Sequence, residues 1–210
     1  MSLDERIDDI DLLRNWRAGD ARAGDRLLAR HFGAVYRFFR GKTGSAAEAL
    51  AQATFVGCRD ADPPAGDVAF KAQLFTIARR RLLDHLAQAT TVAIDPTART
   101  LAALVRDRVQ DSPYAPLFEL PIDVQIAIEL HHWERLSVAD VGHVIGLGAG
   151  AVKGRLARVR KQLDAKVLRG PAALLDADGQ RAWASVRARV FEAPTRTGFS
   201  RYRVVERIDH

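Results

Sequence analysis

The sequence has one cysteine and no long apolar run, and each scarcity excludes a class of protein. A lone Cys58 cannot form an internal disulfide and cannot build a zinc site by itself. The longest apolar runs are only a few residues, whereas a helix that crosses a bilayer needs about 20. The first residues, MSLDERIDDIDLL, are acidic and lack the basic and then apolar order of an export signal. We therefore expect a protein of the reducing cytoplasm.

The composition is otherwise that of a globular protein. Of 210 residues, 48% are hydrophobic and 28% are charged, so a packed core can form without disulfides. No Ser-His-Asp grouping, phosphate-binding glycine loop or dinucleotide-binding turn occurs. The adjacent His131 and His132 lie about 100° apart on a helix and lack a suitable further ligand. The sequence thus predicts no catalytic activity, no cofactor and no metal site.

Nearly every periodic stretch has the 3.6-residue repeat of an amphipathic helix. We therefore predict an all-α fold, in which two small helical domains are joined by a flexible linker and followed by a C-terminal tail. The predicted parts are an N-terminal helical bundle at 1–88, a linker at 89–115, a helix-turn-helix domain at 116–169 and an extension at 170–210.

Several local patterns predict individual elements. Ser45 is followed three residues later by Glu48, which is the pattern of a capping box at the start of the third helix. A short helix is expected at about 101–109, and another around 183–190. The weak alternation of FSRYRVVERI, residues 199–208, is typical of a strand.

The positive charge is concentrated in one part of the chain. The net charge is +6, and between Gly150 and Arg169 there are seven Lys or Arg residues and one acid, Asp164. The first 25 residues are acidic instead. Such segregation is typical of a protein with a nucleic-acid surface and a separate protein-contact surface. A solvated basic helix would have the same composition, so both interpretations stay open at this point.

Residues 121–163 have the pattern of three helices separated by two tight turns. Glycines such as Gly148 and Gly150 let the start of the last helix approach a phosphodiester backbone, and its free N–H groups complement phosphate. This pattern is typical of a helix-turn-helix whose basic last helix enters a major groove. A helical hairpin used only for protein contact is the alternative. The apolar seam of the last helix consists of Val152, Leu156, Val159 and Leu163.

Six residues at the start and on the basic side of this last helix are predicted to contact DNA. We expect Lys153 and Arg155 to bind phosphate, and Arg158 to reach a base edge. The predicted set is Gly150, Ala151, Lys153, Arg155, Arg158 and Lys161.

A second candidate surface lies on the helix predicted at about 68–86. Its polar side chains fall within about 80° of one another on a helical wheel, with Arg79 adding charge beside them. They form either a solvated face or a surface for a DNA strand, where arginine planes can stack on bases. The predicted set is Gln73, Thr76, Arg79, Arg80 and Asp84.

Four blocks of the sequence occur in the order and spacing of bacterial extracytoplasmic-function sigma factors, and the chain resembles this family over roughly residues 8–167. The last block is the most specific. The resemblance implies a two-domain, all-helical initiation factor that docks on core RNA polymerase. The blocks are LLRNWRAGDARAGDRLLARHFGAVYRFFR, AEALAQATFVGC, FKAQLFTIARRRLLDHL and LPIDVQIAIELHHWERLSVADVGHVIGLGAGAVKGRLARVRKQL.

The resemblance also implies what each part binds. In such factors the first domain melts and reads the minus-ten promoter element, which gives this role to the Gln73–Asp84 set. The second domain reads the minus-thirty-five element, and many members are held inactive by an anti-sigma protein. The implied partners are therefore core RNA polymerase, promoter DNA and an anti-sigma factor. The segment that presents acidic residues to the polymerase clamp helices matches Glu48, Gln52, Thr54 and Phe55.

The chain departs from the family's pattern at several of these positions, and three functions stay open. It is an initiation factor, a sigma-derived regulator or decoy that binds polymerase without opening DNA, or a stand-alone helix-turn-helix repressor. The extension at 170–210 contacts DNA or polymerase, folds back over the joint as a regulatory segment, or is a disordered basic tail. The residues for such a contact are Arg187, Arg189, Arg201 and Arg203. The departures are Ala49 and Ala53 for acids, Gln73 for Trp, Arg80 for Asn, Ala87 for Arg, Ala151 for Thr and Gly154 for Ser.

Overall fold

The structure, a computed structural model, describes residues 7–61, 68–88, 113–171 and 177–194. The regular elements in these segments are helices, which confirms the predicted all-α class. The helix expected at 101–109 and the strand expected at 199–208 lie outside the described residues.

The first unit consists of four helices, of which α2 is the longest and contacts the other three. Asp20 accepts hydrogen bonds from the backbone N–H groups of Arg22 and Ala23, at 2.9 and 3.2 Å, and so fixes the start of α2. Large side chains such as Phe32, Phe39 and Phe75 fill the space between the helices and are fully buried. The helices are α1 (Asp9–Arg17), α2 (Ala21–Thr43), α3 (Ala47–Asp60) and α4 (Phe70–Gln88).

The start of α3 differs from the sequence prediction. Residues Gly44–Ala46 form a 3-10 turn, α3 begins at Ala47, and no side chain of the described segments caps it. Ser45 is exposed on this turn, so the predicted capping box is wrong. The physical reason lies at Glu48, whose carboxylate accepts a hydrogen bond from a distant residue, Ser185, instead of reaching back to the helix start.

The second unit contains the predicted helix-turn-helix. Gly146 ends α7 in the left-handed region, with φ +72°, and the N–H of Leu147 donates to the carbonyl of Gly142 at 2.9 Å. A Cβ added at Gly142 would lie 2.4 Å from the carbonyl oxygen of Leu147, so this tight turn requires glycine there. The helices are α5 (Ala115–Phe118), α6 (Ile122–Ile128), α7 (Val138–Ile145), α8 (Ala149–Arg160) and α9 (Ala165–Arg169), with a π-helical turn at Glu129–Trp133 after α6.

The two units pack directly on each other. Helix α4 lies against α7, and the buried side chains of both units belong to one continuous core. Glu134, which follows the π-helical turn, accepts from Arg37 of α2 and forms an ion pair with Lys71 of α4 at 2.8 Å. The orientation of the second unit on the first is therefore fixed by both apolar packing and ion pairs.

A further helix, α10 (Ala177–Glu192), lies in the C-terminal extension. It packs on α2 and α3 of the first unit, and its Ala182, Val186 and Val190 are buried there. This part of the extension is thus a folded helix that returns to the N-terminal bundle.

Candidate nucleic-acid and polymerase interfaces

Helix α8 presents a cationic face to solvent. Its apolar seam points inward, since Val152, Leu156 and Val159 are buried, as the sequence spacing predicts. The opposite side is open, and Arg155 is half-buried beside the seam. The exposed members of the predicted set are Gly150, Ala151, Lys153, Arg158 and Lys161.

The small residues of α8 have no packing role within the described part of the chain. A Cβ added at Gly148, Gly150 or Gly154 would meet no atom of the described residues within 4 Å. No described side chain caps the start of α8, and its first three N–H groups belong to exposed residues, Ala149, Gly150 and Ala151. Open space, free amide donors and exposed cations together are what a closely approaching polyanion requires.

On α4, the five residues of the proposed minus-ten set differ in their exposure to solvent. Arg80 and Asp84 are exposed, whereas Gln73 and Thr76 are half-buried, and the Thr76 hydroxyl donates to the carbonyl of Ala72 at 2.9 Å. The helix therefore offers solvent only part of the predicted ridge.

Arg79 is the member of this set that the structure places against the second unit. Its Nε and Nη2 donate to the two carboxylate oxygens of Asp123 in α6, at 2.9 and 3.1 Å. Asp123 is only 2% exposed, so the pair lies at the contact between the units. A bidentate arginine–carboxylate pair of this kind is geometrically specific, and it occupies the guanidinium in this conformation.

The segment predicted to contact polymerase is divided between surface and core. Glu48 and Gln52 are half-buried at the surface of α3. Thr54 and Phe55 are fully buried, and the Thr54 hydroxyl donates to the carbonyl of Leu50 at 2.8 Å. In this fold Thr54 and Phe55 hold α3 in place, which corrects the expectation that they contact a partner directly.

The comparisons with known proteins agree with this architecture. The chain is 29% identical over 161 residues to the ECF RNA polymerase sigma factor SigM of Mycobacterium tuberculosis, covering 74% of this chain and 82% of that protein. It is 26% identical over 179 residues to the RNA polymerase sigma-H factor of Pseudomonas aeruginosa, covering 74% and 92%. The structure of CnrH, solved in complex with the cytosolic domain of CnrY, matches with a TM-score of 0.52 and 28% identity, over 73% of this chain and 93% of that one. No family model matches the chain.

In sequence and in fold the chain is similar to sigma factors, and these likenesses support a divergent extracytoplasmic-function member. Within the residues that the structure describes, the chain has no helix long and apolar enough to cross a membrane.

The most buried ion pair of the described residues, between Lys42 and Glu129, was not predicted from the sequence. Lys42 of α2 donates to both carboxylate oxygens of Glu129, each at 2.6 Å, and to the carbonyl of Phe38 at 2.9 Å. Burial lowers the pKa of Lys42 and raises that of Glu129, and in each case the charge of the partner opposes the shift. The two residues are 87 positions apart, and no local pattern connects them.

Proposed function

We propose that this chain is an extracytoplasmic-function sigma factor that binds core RNA polymerase and directs promoter-specific initiation of transcription. Within this proposal the cationic face of α8 reads the minus-thirty-five element, α4 reads the minus-ten element, and Glu48 and Gln52 contact the polymerase. The open, cationic face of α8 is the observation that supports the proposal most directly. The similar CnrH is solved with the cytosolic domain of CnrY, which supports a regulatory protein of the anti-sigma kind as a further partner.

The chemistry of α8 assigns different tasks to its cations. Arg158 is exposed in the last turn of α8, where a planar guanidinium can donate two hydrogen bonds to the edge of a guanine. Lys153 lies at the start of the second turn of α8, where an ammonium group close to the helix N-terminus can help to attract a phosphate. Sequence reading and electrostatic anchoring are therefore separable by mutation.

Run-off transcription with purified core enzyme and the full chain tests the proposal. Transcripts that depend on the added chain would support an initiation factor. Binding to core without transcripts would instead indicate the decoy, and duplex binding without any affinity for core would indicate a stand-alone repressor.

The contribution of α8 is tested with single substitutions. Arg158→Ala should weaken promoter binding by about 1–3 kcal/mol on the preferred sequence and by less on others. Lys153→Ala should weaken binding to all sequences alike and reduce the salt dependence by about one counterion. Arg14→Ala is the matched control, because it removes an exposed cation from α1, outside the α8 face.

A further inference from the structure

Helix α10 lies on the part of the first unit where α3 reaches the surface. It runs along α2 and α3, and Ser185 and Arg189 of α10 both contact Glu48. At about 100° per residue, Gln52 lies only about 40° from Glu48 and one turn further along α3. The face of α3 that α10 borders is thus the one that carries both surface residues of the proposed polymerase contact.

Two side chains of α10 bind the Glu48 carboxylate in the way that a basic partner would. The Ser185 hydroxyl donates to Glu48 Oε1 at 2.5 Å, and Arg189 Nη1 lies 3.5 Å from the same oxygen. Since the usual acids are replaced by Ala49 and Ala53, Glu48 is the acidic side chain that remains in the first two turns of α3. Helix α10 therefore neutralises the main negative charge of this surface.

The first unit also holds α10 beyond its middle and just after its C-terminal end. Arg187 forms an ion pair with Asp25 of α2. Arg59, near the end of α3, donates to the carbonyls of Ala193 and Pro194 at 3.1 and 2.9 Å, where the last carbonyls of a helix lack intrahelical partners. These contacts fix both the position and the direction of α10 along α3.

The hold on α10 is of moderate strength. Its fully buried side chains are small, Val186 and Val190, and the ring of Trp183 packs 5.1 Å from that of Phe32. The ion pair between Arg189 and Glu48 is exposed, with 52% and 34% of the two side chains accessible, and exposed pairs contribute little. A partner that offers Glu48 a better set of cations can therefore displace the helix.

We propose that α10 and core polymerase compete for the same surface of α3, so that α10 leaves Glu48 when the polymerase binds. The inference rests on the proposed function, in which Glu48 and Gln52 contact a basic surface of the polymerase clamp. One carboxylate cannot be covered by α10 and by the polymerase at once. The apparent affinity for polymerase is then the intrinsic affinity multiplied by the fraction of chains in which α10 is undocked.

The test compares full-length chains that differ only in α10. In the variant Ser185→Glu/Arg189→Glu, two acids face Glu48 and weaken the docking of α10. The control is Ala184→Glu, which adds an acid at the neighbouring, exposed position. We expect the double variant to bind purified core polymerase about tenfold more tightly than the natural chain, and the control to be unchanged. Circular dichroism on each variant shows that the rest of the chain is folded.

Hydrogen exchange on the natural chain provides a second measurement that needs no variant. The amides of α10 should be protected in the free chain and lose protection when core polymerase is added. Retained protection, or a double variant that binds core equally well or more weakly, would overturn the competition while leaving polymerase binding intact. If no form of the chain binds core, the proposed function fails, and the competition fails with it.

Discussion

Replacing Lys42 by methionine should destabilise the protein by about 3–5 kcal/mol, because the change leaves a carboxylate without its partner in the core. The side chains of Lys42 and Glu129 are only 1% and 5% exposed. The three N–H bonds of the ammonium group are used by the two oxygens of Glu129 and the carbonyl of Phe38. Methionine keeps the apolar stem but supplies none of these donors, so Glu129 loses both hydrogen bonds and its countercharge.

The double variant Lys42→Met/Glu129→Met separates the cost of an orphaned charge from the net value of the pair. It removes both charges and fills the site with apolar atoms, so its stability should equal or exceed that of the natural chain, by up to about 4 kcal/mol. The two single changes should therefore be strongly non-additive. Arg14→Met is the control: it breaks an exposed pair with Asp11 and should cost less than about 1 kcal/mol.

Urea denaturation, followed by tryptophan fluorescence and by circular dichroism, measures the free energy of unfolding of each protein. The cycle compares the natural chain, Lys42→Met, Glu129→Met and the double variant. Coincident transitions by the two probes would show that both packed units unfold together, which the comparison of free energies requires. The reasoning is refuted if Lys42→Met costs less than about 1 kcal/mol, or if the double variant loses the sum of the two single changes.

Three further predictions concern single residues. Gly154→Ala should raise the melting temperature, with a gain of about 1 kcal/mol, because the helix there is open and alanine is the better helix former; weaker DNA binding in the same variant would show that the backbone approaches DNA closely. Burial alone would raise the pKa of Asp9, but the hydrogen bond and charge of His31, followed by those of Arg30, lower it below 3.8. The stability that Asp9 contributes is therefore complete above pH 3.8 and lost as the pH falls through the lower folded pKa, so Asp9→Asn should flatten the acid limb of a stability curve. Burial raises the pKa of Cys58 to about 12, so a thiol reagent at neutral pH should react at the rate of unfolding.

The sequence predicts those parts of the interface that depend on local periodicity. The inward seam around Val152 and the exposed cations beside it follow from spacing along one helix, and the structure has both. A family motif does not separate surface from core, which is why Thr54 and Phe55 were expected at an interface and lie inside the bundle. The pair of Arg79 and Asp123 joins positions 44 residues apart, and such a pairing depends on how the units pack.

The position of α10 was beyond prediction for the same reason. Its apolar spacing indicates a helix around 183–190, and the described helix includes these residues. What the helix binds is decided by a groove that two other helices form and by one carboxylate, Glu48, whose local pattern suggested a helix cap. When a charged residue has two plausible partners, only the three-dimensional structure shows which one it binds.

The two proposed promoter-reading faces have different requirements in the packed conformation. Lys153 and Arg158 of α8 are exposed, so duplex DNA can reach them without rearrangement of the two units. Arg79 is bound by the buried carboxylate of Asp123, and a phosphate can take its guanidinium only if α4 and α6 separate. Separation also brings Lys42 and Glu129 into water and exposes the apolar contact of α4 with α7, so a binding partner has to supply the free energy. We infer that the free chain binds minus-thirty-five duplex measurably and minus-ten single strand weakly, and that the second affinity increases once polymerase holds the units apart.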